Sequence, residues 1–208
     1  DSLPVHGARY GGSRPQRFLA LSRAYPEIVA AFSAGNLETE RLLEECGAKN
    51  RTKVLRPEAA ILRCKREREA REGARRIAES ACGASLCLPY GRGGILAALY
   101  LAAIRRQSGL EIRLRDVPLL PETVALSEAL GKNPYRMDTE ALLFLTESGD
   151  SLARSLRAKD IPAACIGRFV PGLDKCVVDK TEREYINRPE RGIELEAEVF
   201  ETERKTDA

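Results

Sequence analysis

The sequence predicts an α/β (α+β) fold, a layered α-β-α sandwich built around a mixed sheet. Three observations carry this expectation. Helical and strand periods interleave along the chain instead of falling into separate blocks, as layers of helix on sheet require. The stretch at 95–106 (ILAALYLAAIRR) is apolar around nearly its whole circumference, so its helix must be enclosed rather than laid on a surface. Short apolar runs such as ALLFLT at 141–146 have the length of strands buried on both faces. At 208 residues and 43% hydrophobic content, the chain can bury one real core but not two generous ones.

Residues 1–15 (DSLPVHGARYGGSRP) carry Gly, Pro and Ser with no apolar period, and are expected as a linker or the edge of a missing N-terminal domain. Residues 16–180 are expected to form the domain. Phe18, Leu19, Ala20, Leu21, Ile28, Val29 and Phe32 suggest a helix reaching about Phe32, bent at Pro26. Asn36 is placed to cap a second helix, which carries Leu37, Leu42, Leu43 and Cys46 and stops at Gly47. A long helix follows over 57–81. Pro57 and Glu58 occupy its first turn, and Ala60, Cys64, Ala70, Ala74, Ile77, Ala78 and Ala81 return to one face.

Beyond Gly83 the period shortens to that of a strand over 84–90 (ASLCLPY). Gly91-Arg92-Gly93-Gly94 then opens the enclosed helix at 95–106. Residues 110–117 alternate as a strand, with Ile112 and Leu114 on one face. Pro121-Glu122 starts a helix ending at Gly131. A buried strand at 141–146, a helix at 151–159 and strands at 163–170 and 175–179 complete the core. Residues 181–208 are charged and poor in apolar residues, as a surface tail would be.

Lys and Arg total 34 against 31 Asp and Glu, so the net charge of +3 comes from two populations that nearly cancel. The basic stretch at 51–76 holds ten Lys or Arg against four Glu, but no aromatic residue interleaves it as a base-stacking platform needs. It is better read as a solvated helix with ion pairs such as Glu67 with Arg71 and Glu72 with Arg76, and nucleic acid is not expected as a partner. No apolar run approaches the roughly 18 to 20 residues that span a bilayer, and the expectation is a soluble cytoplasmic protein. Cysteines 46, 64, 82, 87, 165 and 176 contain no C-x-x-C pair and His6 is the only histidine, so no metal site is expected and the thiols should be free. The first residue is Asp1 and the only methionine is Met137, so the chain is expected to be a piece of a longer protein.

The feature with chemical content is the glycine turn. A helix N-terminus presents unpaired N–H groups and about half a positive charge, and glycines let a phosphate approach them. Gly91, Arg92, Gly93 and Gly94 are therefore candidates for phosphate or ligand binding, with Arg92 available for a bidentate contact. The alternative is that the glycines only permit a tight strand-to-helix turn, since G-R-G-G matches neither the P-loop nor the dinucleotide fingerprint.

Four motifs in order give the turn its company. They are Arg92-Gly93-Gly94-Ile95, Pro121-Glu122-Thr123, Asn133-Pro134-Tyr135 and Ile166-Gly167-Arg168. In this arrangement the chain from about Phe18 to Asp179 resembles the C-terminal domain of the AIR synthase (PurM-like) superfamily, which includes AIR synthase, selenophosphate synthetase and thiamine-monophosphate kinase. It is most similar to the hydrogenase-maturation carbamoyl dehydratase branch and related proteins. The resemblance implies an enzyme that uses ATP to phosphorylate an amide-like or acid oxygen, with this domain inactive alone. It adds Asn133, of the N-P-Y loop, to the candidate site. It also implies that ATP and Mg come only with a missing N-terminal ATP-binding domain as partner, that the complete protein is a homodimer, and that this piece holds no cofactor.

The chain departs from that pattern in three places. Pro89-Tyr90-Gly91 stands where the family carries Asp-x-Thr, and Asp138-Thr139-Glu140-Ala141 replaces a Ser-Ser-Gly turn. No cysteine follows Cys176, whereas the maturation enzyme carries its carbamoyl group on a C-terminal cysteine. The alternative function is a non-catalytic interaction or regulatory module that kept the fold and lost the site.

Overall fold

The computed structural model describes residues 25–46, 56–81, 86–89, 91–190, 192 and 198–199. The expected segment 1–15 lies outside them. Among the described residues the strands are β1 (Glu27–Ala31), β2 (Leu86–Pro89), β3 (Gly109–Ile112), β4 (Leu142–Thr146), β5 (Ala163–Val170), β6 (Lys175–Asp179), β7 (Glu182–Tyr185) and β8 (Glu198–Val199). The α-helices are α1 (Asn36–Cys46), α2 (Pro57–Ala81), α3 (Gly94–Arg106), α4 (Pro121–Leu130) and α5 (Gly149–Arg157).

One sheet runs in the order β7-β6-β3-β5-β1-β4-β2-β8. It is mixed, because β3 pairs with β6 in parallel while the other pairings are antiparallel. The fold is the expected α/β arrangement. Every residue of β4 is buried, as are Ile28 to Ala31 of β1, which a strand enclosed on both faces requires. Successive strand residues point to opposite faces. Arg106 of α3 lies over the ring of Phe169, while the adjacent Arg168 shares a cleft with Asp150 of α5, so the two helices flank opposite faces of the sheet.

The part of the expected helix beyond Pro26 is corrected by β1, while its first part, from Phe18 to Leu21, lies outside the described residues. The apolar run EIVAAF has no period that separates helix from strand. It becomes a strand because it is the tie between β5 and β4, hydrogen-bonded on both edges and enclosed on both faces. The strand expected over 110–117 is also shortened. It ends at Ile112, and Leu114–Asp116 is a 3-10 turn clamped by the Arg113 guanidinium on Asp116 at 2.5 Å, just ahead of Pro118. Helix α3 buries Ile95, Leu99, Ala102 and Ala103 at or near zero exposure, but Ile104 is half exposed, so the enclosure expected around nearly the whole helix is incomplete near its C-terminal end.

The basic helix α2 is packed against α1 and α5, and several of its cations are paired to carboxylates. Arg63 meets Glu122 of α4, and Arg68 meets both Glu40 of α1 and Glu140. Lys65 reaches Glu40 and Glu44, and Arg76 meets Glu72 as the i,i+4 spacing predicts. Glu67 departs from the expected pairing with Arg71. Its carboxylate turns inward to Ser33 and Asn36 because the face it occupies is covered by the turn leaving β1.

Among the described residues no helix is long and apolar enough to cross a membrane. Within the stretch expected as a charged tail, β7 pairs with β6 through exposed residues and β8 pairs with β2.

Candidate functional site

The glycine turn joins the end of β2 to α3. Gly93 and Gly94 take left-handed conformations, with φ of 75° and 64°, which side-chain-bearing residues rarely adopt. Gly94 has a second constraint. A Cβ there would fall 2.5 Å from the carbonyl oxygen of Tyr135 and 2.7 Å from that of Met137. The segment at 133–139 thus lies directly against the turn, and the structure brings two of the sequence motifs together.

The amides that the sequence reading left open to a ligand are occupied. Gly93 N donates to the Asp138 carboxylate at 3.1 Å, and Gly94 N donates to the Gly91 carbonyl at 3.3 Å. Thr139 N donates to that same Gly91 carbonyl at 3.2 Å, so turn and loop share backbone bonds. The premise of unpaired N–H groups at Gly93 and Gly94 is therefore corrected. The loop that carries Asp138 folds onto the helix end and supplies the acceptors itself.

Arg92 and Arg136 are exposed and line a cleft of about 200 Å³ with Gly93 and Asp138. Asn187 and Glu190 line it as well, so the cleft holds two carboxylates beside its two guanidinium groups. Sequence reasoning missed Arg136, Asp138, Asn187 and Glu190 as cleft residues. Asp138 was visible only as a charge where the resemblance implies a small-residue turn, and Asn187 and Glu190 lay in the presumed tail. Asn133 does not line this cleft. Its side chain accepts from Tyr135 N at 2.9 Å, capping the 3-10 turn Pro134–Arg136 that positions Arg136.

A carboxylate deeper in the fold holds the loop. Glu38 of α1 accepts from Asp138 N at 3.0 Å and from Lys132 Nζ at 2.5 Å, while Glu38 N donates to the Asp138 carbonyl at 3.0 Å. Burial pushes the Glu38 carboxyl up. The hydrogen bonds from Lys132 and the Asp138 amide, with the Lys132 and Arg41 charges, outweigh burial and hold it below its ordinary value of 4.5. Asn36 opens α1 as expected, but its amide oxygen accepts from Glu140 N at 2.8 Å and Thr139 Oγ1 at 2.9 Å, anchoring the loop's other end.

A second cleft, of about 340 Å³, lies over β3 and β5 beside the N-terminus of α5. It holds Glu27, Arg113, Asp150, Cys165 and Arg168. Glu27 accepts from Gly149 N at 2.5 Å, and Arg113 donates to the Cys165 carbonyl at 3.1 Å. Burial, and then the Glu27 charge, push the Cys165 thiol up, so it is held protonated rather than activated. Among the described residues Cys64, Cys165 and Cys176 are free, and no group of three His, Cys, Asp or Glu could hold a metal ion.

With this geometry defined, known structures can be set beside it. Over 80% of this chain and 50% of the other, the backbone superposes on Escherichia coli HypE, a hydrogenase maturation protein, with a TM-score of 0.59 at 17% identity. The fold is HypE-like. A HypE structure in complex with ATP gives a TM-score of 0.56 at 16% identity, over 81% of this chain and 52% of that one. Thiamine-monophosphate kinase from Aquifex aeolicus gives 0.54 at 18% identity, over 80% and 52%. The HypE-like likeness agrees with the superfamily resemblance read from the four motifs. This chain spans about half the length of each of these proteins. No family model and no curated protein matches the sequence.

Proposed function

We propose that this chain is the C-terminal domain of an ATP-dependent enzyme of the AIR synthase superfamily, one that activates an amide-like or acid oxygen by phosphorylation. The supporting observation is the collinear HypE-like fold with a glycine turn opening the largely buried helix α3, taken with a HypE structure that contains ATP. In this reading the chain is inactive alone. An N-terminal half supplies ATP and Mg, the complete protein is a homodimer, and it works in the cytoplasm. Gly91, Arg92, Gly93 and Gly94 face the phosphoryl groups across the inter-domain cleft, and Asn133 shapes the loop beside them. The Arg92 guanidinium there would stabilise charge on the transferring group.

The test is ADP release from Mg·ATP by the 208-residue chain and by a longer form carrying an ATP-binding half. Release should be confined to the longer form and fall about tenfold or more in Arg92→Ala, the size expected of a lost charge-assisted contact. Turnover indifferent to Arg92→Ala would remove the turn from the reaction. Absence of ATP binding by the longer form would favour the second reading, a non-catalytic interaction module. The observation in favour of that second reading is the Asp138 carboxylate already bound at the helix end.

A further inference from the structure

We infer that the cleft over β3 and β5, on the face of the sheet opposite α3, is a binding site for a small zwitterion of the amino-acid or short-peptide class. Its volume of about 340 Å³ falls within the roughly 300 to 1,000 Å³ of small-molecule sites. It is separate from the glycine turn. In the sheet order β5 is divided from β2, which leads into that turn, by both β1 and β4.

The charges around the cleft divide into engaged and unengaged. Glu27 accepts from Gly149 N, Arg113 is held by Asp116 and the Cys165 carbonyl, and Glu111 meets Arg183. Among the described residues Asp150 of α5 and Arg168 of β5 have neither a hydrogen bond nor an ion pair. For Arg168 this follows from its neighbours' commitments. Glu27 stands opposite it on the β1 edge and Glu111 opposite it on the β3 edge, positions from which opposite charges ordinarily pair across a sheet. Both carboxylates are engaged elsewhere, Glu27 by the amide of Gly149 and Glu111 by Arg183 of β7. Arg168 is thus a guanidinium flanked by two carboxylates and bonded to neither.

An unengaged cation on the strand and an unengaged anion on the helix match a ligand that carries both signs. Its carboxylate pairs with the Arg168 fork and its ammonium with Asp150. The rest of the lining narrows the class. Glu27, Glu111 and Asp150 outnumber Arg113 and Arg168, so a phosphate or polyanion is repelled, and among the described residues no group of three His, Cys, Asp or Glu could hold a metal ion. Cys165 and Val178 also line the cleft and offer contact to a short alkyl body rather than a further charge.

The experiment titrates L-alanyl-L-alanine into the 208-residue chain, followed through the amide signals of residues 149–151 and 165–168, with propionate and ethylamine as single-charge probes. The proteins compared are the parent, Arg168→Ala and Asp150→Asn, both changes at exposed side chains, with thermal melting as the check on folding. The dipeptide should give saturable shifts in the parent. Each single-charge probe should bind about tenfold more weakly or worse, and each substitution should weaken the dipeptide by about the same factor, the size of one lost charge-assisted contact. Should Asp150→Asn unsettle α5, whose first turn it occupies, Arg168→Ala decides. Absence of saturable shifts in the parent, single-charge probes that bind as well as the dipeptide, or an Arg168→Ala protein that binds like the parent would each overturn the inference. None of these results bears on the glycine turn, so the proposed function stands or falls separately.

Discussion

Glu67 of α2 accepts hydrogen bonds from both the amide and the hydroxyl of Ser33, at 3.1 and 2.7 Å, in the turn that leaves β1. It also accepts from Asn36 Nδ2 at 3.2 Å. One buried carboxylate thus ties the long basic helix to the central strand and to the start of α1. Glu67→Ala leaves those donors without an acceptor in a place water reaches poorly, and should cost about 2 to 3 kcal/mol. Glu67→Gln keeps one carbonyl and should cost less. Urea unfolding midpoints of the two variants check this, and equal stability of Glu67→Ala and parent would refute the role assigned to the carboxylate.

Gly167 and Gly73 should respond to alanine with opposite signs. A Cβ at Gly167 would overlap the Glu111 carbonyl and press on Ile112, backbone that cannot yield without breaking the β3–β5 ladder. Gly167→Ala should destabilise by about 1 to 3 kcal/mol or more. Gly73 sits in the exposed interior of α2 with nothing within 4 Å of its missing Cβ. Gly73→Ala should stabilise by about 0.5 to 1 kcal/mol through the helix backbone alone. Thermal melting of the pair reads both signs.

Acid should loosen the loop at 133–139 through Glu38. Because its carboxyl is held below 4.5 in the folded protein, folding binds fewer protons there than unfolding does. The stability it contributes is fully present above that ordinary value and is lost as pH falls through the depressed folded value. In urea titrations from pH 7 down to acid, the stability gap between the parent and Glu38→Gln should be constant at neutral pH and narrow below about 4.5. A gap that widens on acidification would reverse the assigned sign.

Cys64 should be inert in the native state. Burial, with the Glu67 and Glu40 charges adding, pushes its thiol up to about 12, so almost no thiolate is present near pH 8. Alkylation by iodoacetamide, mapped by mass spectrometry, should spare Cys64 in the folded protein and reach it in urea. Native labelling at the rate of a small free thiol would contradict its burial in the packing between α2 and its neighbours.

The burial of most of helix α3 was legible because a helix apolar around most of its circumference must be packed on most sides, although Ile104 near its end is half exposed. Helix α4 was legible because Pro121 in its first turn and Gly131 at its end, with φ of 63°, act through their own backbones. Strand β1 was not legible. Its run EIVAAF fits both periods, and only its place between β5 and β4 makes it a strand. The end of β3 escaped for a related reason, since alternation continues through Leu114 while the Arg113–Asp116 clamp turns the chain away.

By itself the sequence determined the layered α/β class, the position of the glycine turn and the order of the four motifs, because periodicity, caps and turn residues are properties of neighbours along the chain. Only the tertiary structure decided what meets the turn. Asp138 lies 45 positions from Gly93, and Glu67 lies 34 from Ser33, separations at which spacing carries no information. A carboxylate's role is set by which donors the fold brings within about 3 Å of it. Here the sheet order and the loop folded against Gly94 turn a helix end that looked open in the sequence into one filled by the chain's own anion.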